Sequence, residues 1–298
     1  MLRRMPSFSV NLHLLFGGTL FFTSIMLFTW MGYVSFSSKV QNHEPDLSSL
    51  LIATALSSNH YKEALKFCRS FKSNSQLAAH PKKRLVVYKL GTLNVNQTIA
   101  LNETCGGAEF RKFPFDRYPS YVQNLFEYRW KPVILSEILD ESDAVIYADS
   151  STEFQNTNET FENLIKEIAK SKITMRIFGP AGHSIFRTTH PKMYSYLPIP
   201  PEKAKILTMH EAGKQVWVKT PETVEIVLKP WLNCALEMDC MAPPGAKRSC
   251  NLKDYPEPQY AKCHRFDQSA INIIAARAAN FDGKLYQSNS SLLLTHRL

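Results

Sequence analysis

Three short apolar runs, each next to a helix-like stretch, constrain the fold most: "LLIATA" (Leu50–Ala55), "RLVVYKL" (Arg84–Leu90) and "AVIYA" (Ala144–Ala148). Short apolar runs bounded by polar turns fit strands buried on both faces. After the first, "SSNHYKEALKFCRSF" places Tyr61, Ala64, Leu65, Cys68 and Phe71 on one helical face, with Ser58 and Asn59 positioned to cap it. Before the third, "WKPVILSEILDES" reads as a helix with Pro132 in its first turn, where a missing N–H is tolerated. "AEFRKFPF", "KITMRIF" and "KQVWVKT" read as further strands. "PETVEIVLKPWLNCAL" reads as a helix starting near Pro221 and disturbed near Pro230, and "HRFDQSAINIIAARAANF" as one whose face carries Ala270, Ile271, Ile274 and Ala278. "FGPAGHS" and "LPIPPEK" read as loops, and the Pro- and Cys-rich region 237–262 as a stapled loop. This alternation predicts an α/β fold: a mainly parallel sheet flanked by helices, with ligands bound beyond the carboxyl ends of its strands.

The N-terminus sets the expected compartment. Leu12–Phe36 is mostly apolar and holds no acidic or basic residue besides His13, and roughly 20 apolar residues span a bilayer. Arg3 and Arg4 precede the stretch and only Lys39 follows closely, which places the N-terminus in the cytosol and the rest across the membrane. A cleaved signal peptide fits less well, because its apolar region is usually about 7–15 residues. The expected organisation is a cytoplasmic tail (1–11), a transmembrane signal anchor (12–36), a polar stem (37–49) and a lumenal domain (50–298). That organisation would make the chain a single-pass type II membrane protein of the Golgi or endoplasmic reticulum. All six cysteines, Cys68, Cys105, Cys234, Cys240, Cys250 and Cys263, follow the anchor, and an even number there predicts disulfides whose pairing stays open. They form no C-x-x-C pair, which disfavours zinc. Sequons at Asn96, Asn102, Asn158 and Asn289 agree with a glycoprotein. The net charge of +9 comes without a long basic block. It reads as a solvated basic surface or as affinity for an anionic ligand, with nucleic acid disfavoured by the compartment. No G-x-S-x-G elbow, P-loop, H-E-x-x-H or glycine-rich dinucleotide fingerprint occurs.

"DAVIYADSSTEF" drives a buried strand straight into Asp149. On the residues alone, Asp149 is either the start of a turn or a ligand for a cation or phosphate. Taken in order, "TALSSNHYKEAL", "FPFDRYP", "YRWKP", "YADSS", "KPWLNCALEMDCMAP" and "HRFDQSAINI" resemble a family of membrane-anchored, largely nematode animal proteins known as domain of unknown function 1647. More distantly, three segments resemble nucleotide-sugar glycosyltransferases of the GT-A fold, such as glycosyltransferase family 8.

That resemblance implies a transferase moving a sugar from a nucleotide-sugar, a UDP-sugar in first place, to a glycan or glycoprotein. Asp149 would match the first carboxylate of the Asp-x-Asp motif that holds Mn²⁺ or Mg²⁺ on the diphosphate, while Ser151 replaces the second with a weaker neutral ligand. Asp267 and Gln268 would match the catalytic Asp-Gln pair beside the donor sugar, although Asp267 is also well placed as a helix N-cap. Thr54, Ser57 and Asn59 would line the nucleotide turn, Lys131 would reach the diphosphate, and His296 would match a C-terminal metal-binding histidine. His264 and Arg265 would meet phosphate or sugar hydroxyls. The rival expectation is a non-catalytic glycan- or partner-binding protein on the same scaffold, for which the lost second aspartate argues.

Overall fold

The computed structural model describes residues 45–296. The expected tail, anchor and first part of the stem (37–44) lie outside the described residues. Among the described residues, no helix is long and apolar enough to cross a membrane.

Strand β1 (Leu50–Leu56) is buried along its whole length and leads to helices α1 (Tyr61–Ser73) and α2 (Ser75–Ala79). Next come β2 (Lys83–Lys89), α3 (Val95–Thr104), β3 (Glu109–Lys112), α4 (Trp130–Leu139) and β4 (Ala144–Ala148). β1 pairs in parallel with β2 and β4, and β2 in parallel with β3. The chain continues through β5 (Thr152–Phe154), α5 (Phe161–Ala169), β6 (Met175–Phe178), β7 (Pro180–Ser184), α6 (Pro201–Ile206), β8 (Thr208–His210) and β9 (Lys214–Val218). Three helical pieces follow end to end: α7 (Pro221–Thr223), a π-helical turn (Val224–Leu228) and α8 (Lys229–Leu236). Short α9 (Met238–Met241), long α10 (Phe266–Ala278), β10 (Gln287–Ser288) and β11 (Leu293–Thr295) complete the order.

The main sheet runs β10-β6-β9-β4-β1-β2-β3, with β9 antiparallel to both its neighbours. Two small antiparallel pairs, β5–β11 and β7–β8, lie outside it. The main sheet is thus mixed and mainly parallel, as expected.

Both faces of the central strands are buried, so their sequences read as continuous apolar runs. Alternate residues separate into two cores. Leu51, Ala53, Ala55, Val145 and Tyr147 join Val133 and Ile134 of α4, Trp231 of α8 and Ile271 of α10. Leu50, Ile52, Leu56, Ala144 and Ile146 join Phe67 and Phe71 of α1 and Leu164 and Ile168 of α5.

Several expectations need correction. Neither Ser58 nor Asn59 caps α1. The strand runs on to Leu56, a 3₁₀ turn (Ser58–His60) intervenes, and His60 takes the cap position without a side-chain hydrogen bond. "FGPAGHS" is not a free loop, because its Pro180–Ser184 part pairs with β8. "LPIPPEK" turns helical at Pro201, the first-turn position that suits proline. The stretch after Pro221 does start there, capped by the Thr220 side chain accepting from Thr223 N–H. Its disturbance is the π turn, where Lys229 N–H reaches Val224 C=O. The ring of Pro230, which would clash with the carbonyl four residues back, supplies the reason. Helix α10 is buried nearly all round rather than on one face, because it threads the first core. Three disulfides use all six cysteines: Cys68–Cys105, Cys234–Cys240 and Cys250–Cys263.

Candidate functional site

Strand β4 ends at Ala148, and Asp149 is the next residue. Its backbone answers part of the puzzle the sequence posed. Asp149 N–H donates to Gly213 C=O at 2.7 Å, tying it to the start of β9, and its carbonyl accepts from Thr152 N–H at 2.8 Å, closing a turn. The side chain is free of that task. Its Oδ1 accepts from the Tyr147 hydroxyl at 3.0 Å, and its Oδ2 accepts from Lys131 Nζ at 3.1 Å. A Cβ on Gly213 would lie 2.5 Å from Asp149 Oδ2, so glycine there lets β9 pass close beside the carboxylate.

Lys131 comes from the first turn of α4, entered through Tyr128, which adopts a left-handed conformation (φ 56°). It is only 3% exposed, and its ammonium sits 4.9 Å above the Tyr128 ring and 5.7 Å above the Trp130 ring. A lysine buried so deeply needs compensating charge. It has two partners: Asp149 Oδ2 at 3.1 Å and Asp267 Oδ2 at 3.0 Å. Burial opposes its charge, but the pull of Asp149 and then Asp267 outweighs it and raises the pKa above the ordinary lysine value. Tyr147 is buried too, and burial followed by the neighbouring Asp149 charge holds its hydroxyl well above the usual phenol range.

Asp267 stands in the first turn of α10. It is not the N-cap, since Arg265 takes that position without a side-chain bond. The helix begins one residue before Asp267, which leaves its carboxylate aimed at Lys131. Burial pushes its pKa up to about 6, against the pull of Lys131. The Lys131 contact is an ion pair too oblique for a hydrogen bond, so Oδ2 is a buried acceptor with no well-directed donor.

Asp149, Lys131 and Asp267 line one cleft of about 560 Å³ with Ser151, Arg248, Arg265 and Gln268. Of the residues expected from sequence, Lys131, Asp149, Ser151, Arg265, Asp267 and Gln268 converge there, and His264 also lies on the wall. His264 does a structural job. Its Nδ1 accepts from His190 N–H and its Nε2 faces Met241 C=O, and burial pushes its pKa down to about 3, keeping it neutral. Thr54, Ser57 and Asn59 do not line the cleft. Thr54 is fully buried within β1, on the side of Ile52 and Leu56, and the Ser57 hydroxyl donates to Asn59 Oδ1 in the turn beyond. His296 lies just outside it, half-exposed, 4.0 Å from Glu153, with its backbone N–H on Ser151 C=O. Tyr147 and Gly213 were missed in the sequence. The i, i+2 parity of Tyr147 with Asp149 was the readable signal for the first.

The resemblance to Asp-x-Asp enzymes raised a divalent cation, and the side chains present do not fit one. Such a cation gathers several oxygen ligands at about 2.0–2.6 Å. Here the ammonium of Lys131 holds the position between the two carboxylates, Ser151 is neutral, and His296 turns to Glu153. Among the described residues, no group of three or more His, Cys, Asp or Glu gathers at metal-binding distance.

Residues 30–136 match the family described as "Protein of unknown function (DUF1647)". The described part of the DUF1647 segment runs from before β1 into α4, so it includes Lys131, while Asp149 and Asp267 lie beyond it. Among curated proteins, none matches the chain. Among solved structures, the chain is similar to the galactosyltransferase LgtC in complex with donor and acceptor sugar analogues, at 14% identity and TM-score 0.41, covering 80% of this chain and 73% of that one. Mouse xyloside xylosyltransferase 1 in its apo form shows 10% identity and TM-score 0.45, covering 81% and 84%. Core-mannan synthase A from Aspergillus fumigatus, in its Mn/GDP form, shows 5% identity and TM-score 0.40, covering 63% and 64%.

Proposed function

We propose that the cleft binds the diphosphate and sugar of a nucleotide-sugar and that the chain is a glycosyltransferase on a GT-A-like scaffold. The observation that carries the reading is the meeting of Asp149, Lys131 and Asp267 at the end of β4. Two of the three segments that resemble part of a nucleotide-sugar site, those of Asp149 and Asp267, meet there through Lys131. A site beyond the carboxyl end of a strand in an open α/β sheet is where such ligands bind. In this reading Lys131, Arg248 and Arg265 face the charge that gathers on the departing diphosphate, since preorganised positive groups stabilise developing negative charge. Asp267 and Gln268 orient the transferred sugar. A UDP-sugar is the first donor to try, and a glycan or glycoprotein is the acceptor.

The setting we propose is the lumen of the Golgi or endoplasmic reticulum, with residues 12–36 as a type II anchor. Disulfides on all six cysteines suit an oxidising compartment. One feature favours the rival non-catalytic binding protein: Ser151 offers the cleft a neutral hydroxyl where the Asp-x-Asp motif it resembles has a second carboxylate.

The test uses the full chain purified from a secretory host and a panel of nucleotide-sugars, with release of the nucleoside diphosphate measured. Asp149→Ala is the control. Release that disappears in Asp149→Ala establishes the transferase and names the donor. Binding of a nucleotide-sugar without release, across a range of glycan acceptors, supports the rival.

A further inference from the structure

We propose that Lys131 is the resident cation of this site, and that the chain engages a diphosphate without a divalent metal. The diphosphate half of the proposal rests on the function proposed above; the cation assignment does not.

The argument starts from charge. Two carboxylates that share a pocket need a cation between them, and the choice is a bound metal or a side chain. Lys131 Nζ stands 3.1 Å from Asp149 Oδ2 and 3.0 Å from Asp267 Oδ2, so it already bridges the two carboxylates. Its helix places it there, with the ammonium over the aromatic faces of Tyr128 and Trp130. For a metal to enter, Lys131 would have to leave. Its side chain is only 4% exposed where it stands, and leaving would cost it both carboxylate partners.

The remaining ligands a metal would need are also committed. Tyr147 donates to the other oxygen of Asp149, and Gly213 presses on the same carboxylate so closely that no side chain fits between them. The positive charge a diphosphate requires is instead covalently fixed. It comes from Lys131 at the base of the cleft and from Arg248 and Arg265 on its walls, with the Arg248 guanidinium placed 4.4 Å from the Phe126 ring. Asp267 Oδ2, buried and without a well-directed donor, remains available to a ligand hydroxyl.

The experiment titrates Mn²⁺ alone into the full chain and follows free Mn²⁺ by electron paramagnetic resonance. The wild type is expected to leave the free-ion signal unchanged. Uptake of one Mn²⁺ per chain, abolished by Asp149→Asn, would overturn the assignment. In a second arm UDP is titrated calorimetrically in EDTA and again in Mn²⁺. Equal binding in both, weakened at least tenfold by Lys131→Met but less by Lys131→Arg, is expected, with thermal melts confirming that each variant is folded. UDP binding that appears only with Mn²⁺ would overturn the proposal. No UDP binding in either buffer counts against the nucleotide-sugar reading, while the Mn²⁺ titration still decides the cation.

Discussion

At the scale of single residues, Asp267 should leave a signature in the pH dependence of stability. Its pKa is lifted by burial from the ordinary 3.8 to about 6. A folded state that holds a proton more tightly than the unfolded chain is stabilised at low pH. That contribution is fully present below the ordinary value and is lost as pH rises through about 6. His264 acts in the opposite sense. Lowered by burial to about 3, it contributes stability that grows as pH rises toward the ordinary histidine value. The two overlap, so the difference between variants is the clean readout. Asp267→Asn keeps the shape and removes the titration. Between about pH 4 and 6 its unfolding free energy, measured in urea, should rise more steeply with pH than that of the wild type. Parallel profiles would show that Asp267 does not titrate there. Asp149 was legible as a charge that ends an apolar strand, and Asp267 and Lys131 as separate candidates through the resemblance of their segments to nucleotide-sugar enzymes. Their shared contact was not, since local pattern carries no information on which distant segments meet. Tyr147 looked like one more apolar residue of a strand, and Gly213 like an ordinary loop glycine. Only the antiparallel register of β9 against β4 shows that Gly213 lies against Asp149.

At the scale of elements, the disulfides divide the work unequally. Cys68–Cys105 joins α1 to the end of α3 across 37 residues, while Cys234–Cys240 closes a loop of only 6 at the end of α8. Loop-closure entropy makes the first worth about 4 kcal/mol and the second about 2 kcal/mol. Both pairs are fully buried, so lost packing is similar in each. The double variant Cys68→Ala/Cys105→Ala should therefore unfold at lower denaturant than Cys234→Ala/Cys240→Ala; equal midpoints would remove the loop-length argument. The central strands could be read from sequence because burial on both faces leaves an uninterrupted apolar run. The shorter pieces could not. β5, β10 and β11 are two or three residues long, too short for any period to show, and β7 begins with a proline, which punctuates the sequence as a loop would. Helix α5 is different. Phe161, Leu164, Ile165 and Ile168 have helical spacing behind a capping Thr160, so its signal was present and went unread.

At the scale of the whole molecule, the surface can be asked whether it suits the proposed lumenal setting. Asn96, Asn102, Asn158 and Asn289 are all exposed, and none lines the cleft. Glycans attach during synthesis, before folding is complete, so exposure does not decide whether they are added. It decides whether the fold tolerates them. An asparagine sealed in the core would trap the chain unfolded, and four at the surface do not. The full chain made in a secretory host should therefore lose mass on treatment with an N-glycan amidase, in up to four steps, and each Asn→Gln change should remove one step. A secreted-route product with no amidase-sensitive mass would argue against the lumenal topology. The sequon at Asn158 offers an internal control. Its third residue, Thr160, caps α5, with its hydroxyl accepting from Asn163 N–H at 3.1 Å. Asn158→Gln removes the glycan and leaves the cap. Thr160→Ala removes the same glycan together with the cap, which costs about 1 kcal/mol. Both variants should therefore show the same mass, with only Thr160→Ala melting lower. A matching drop in Asn158→Gln would assign that stability to the glycan instead of the helix cap.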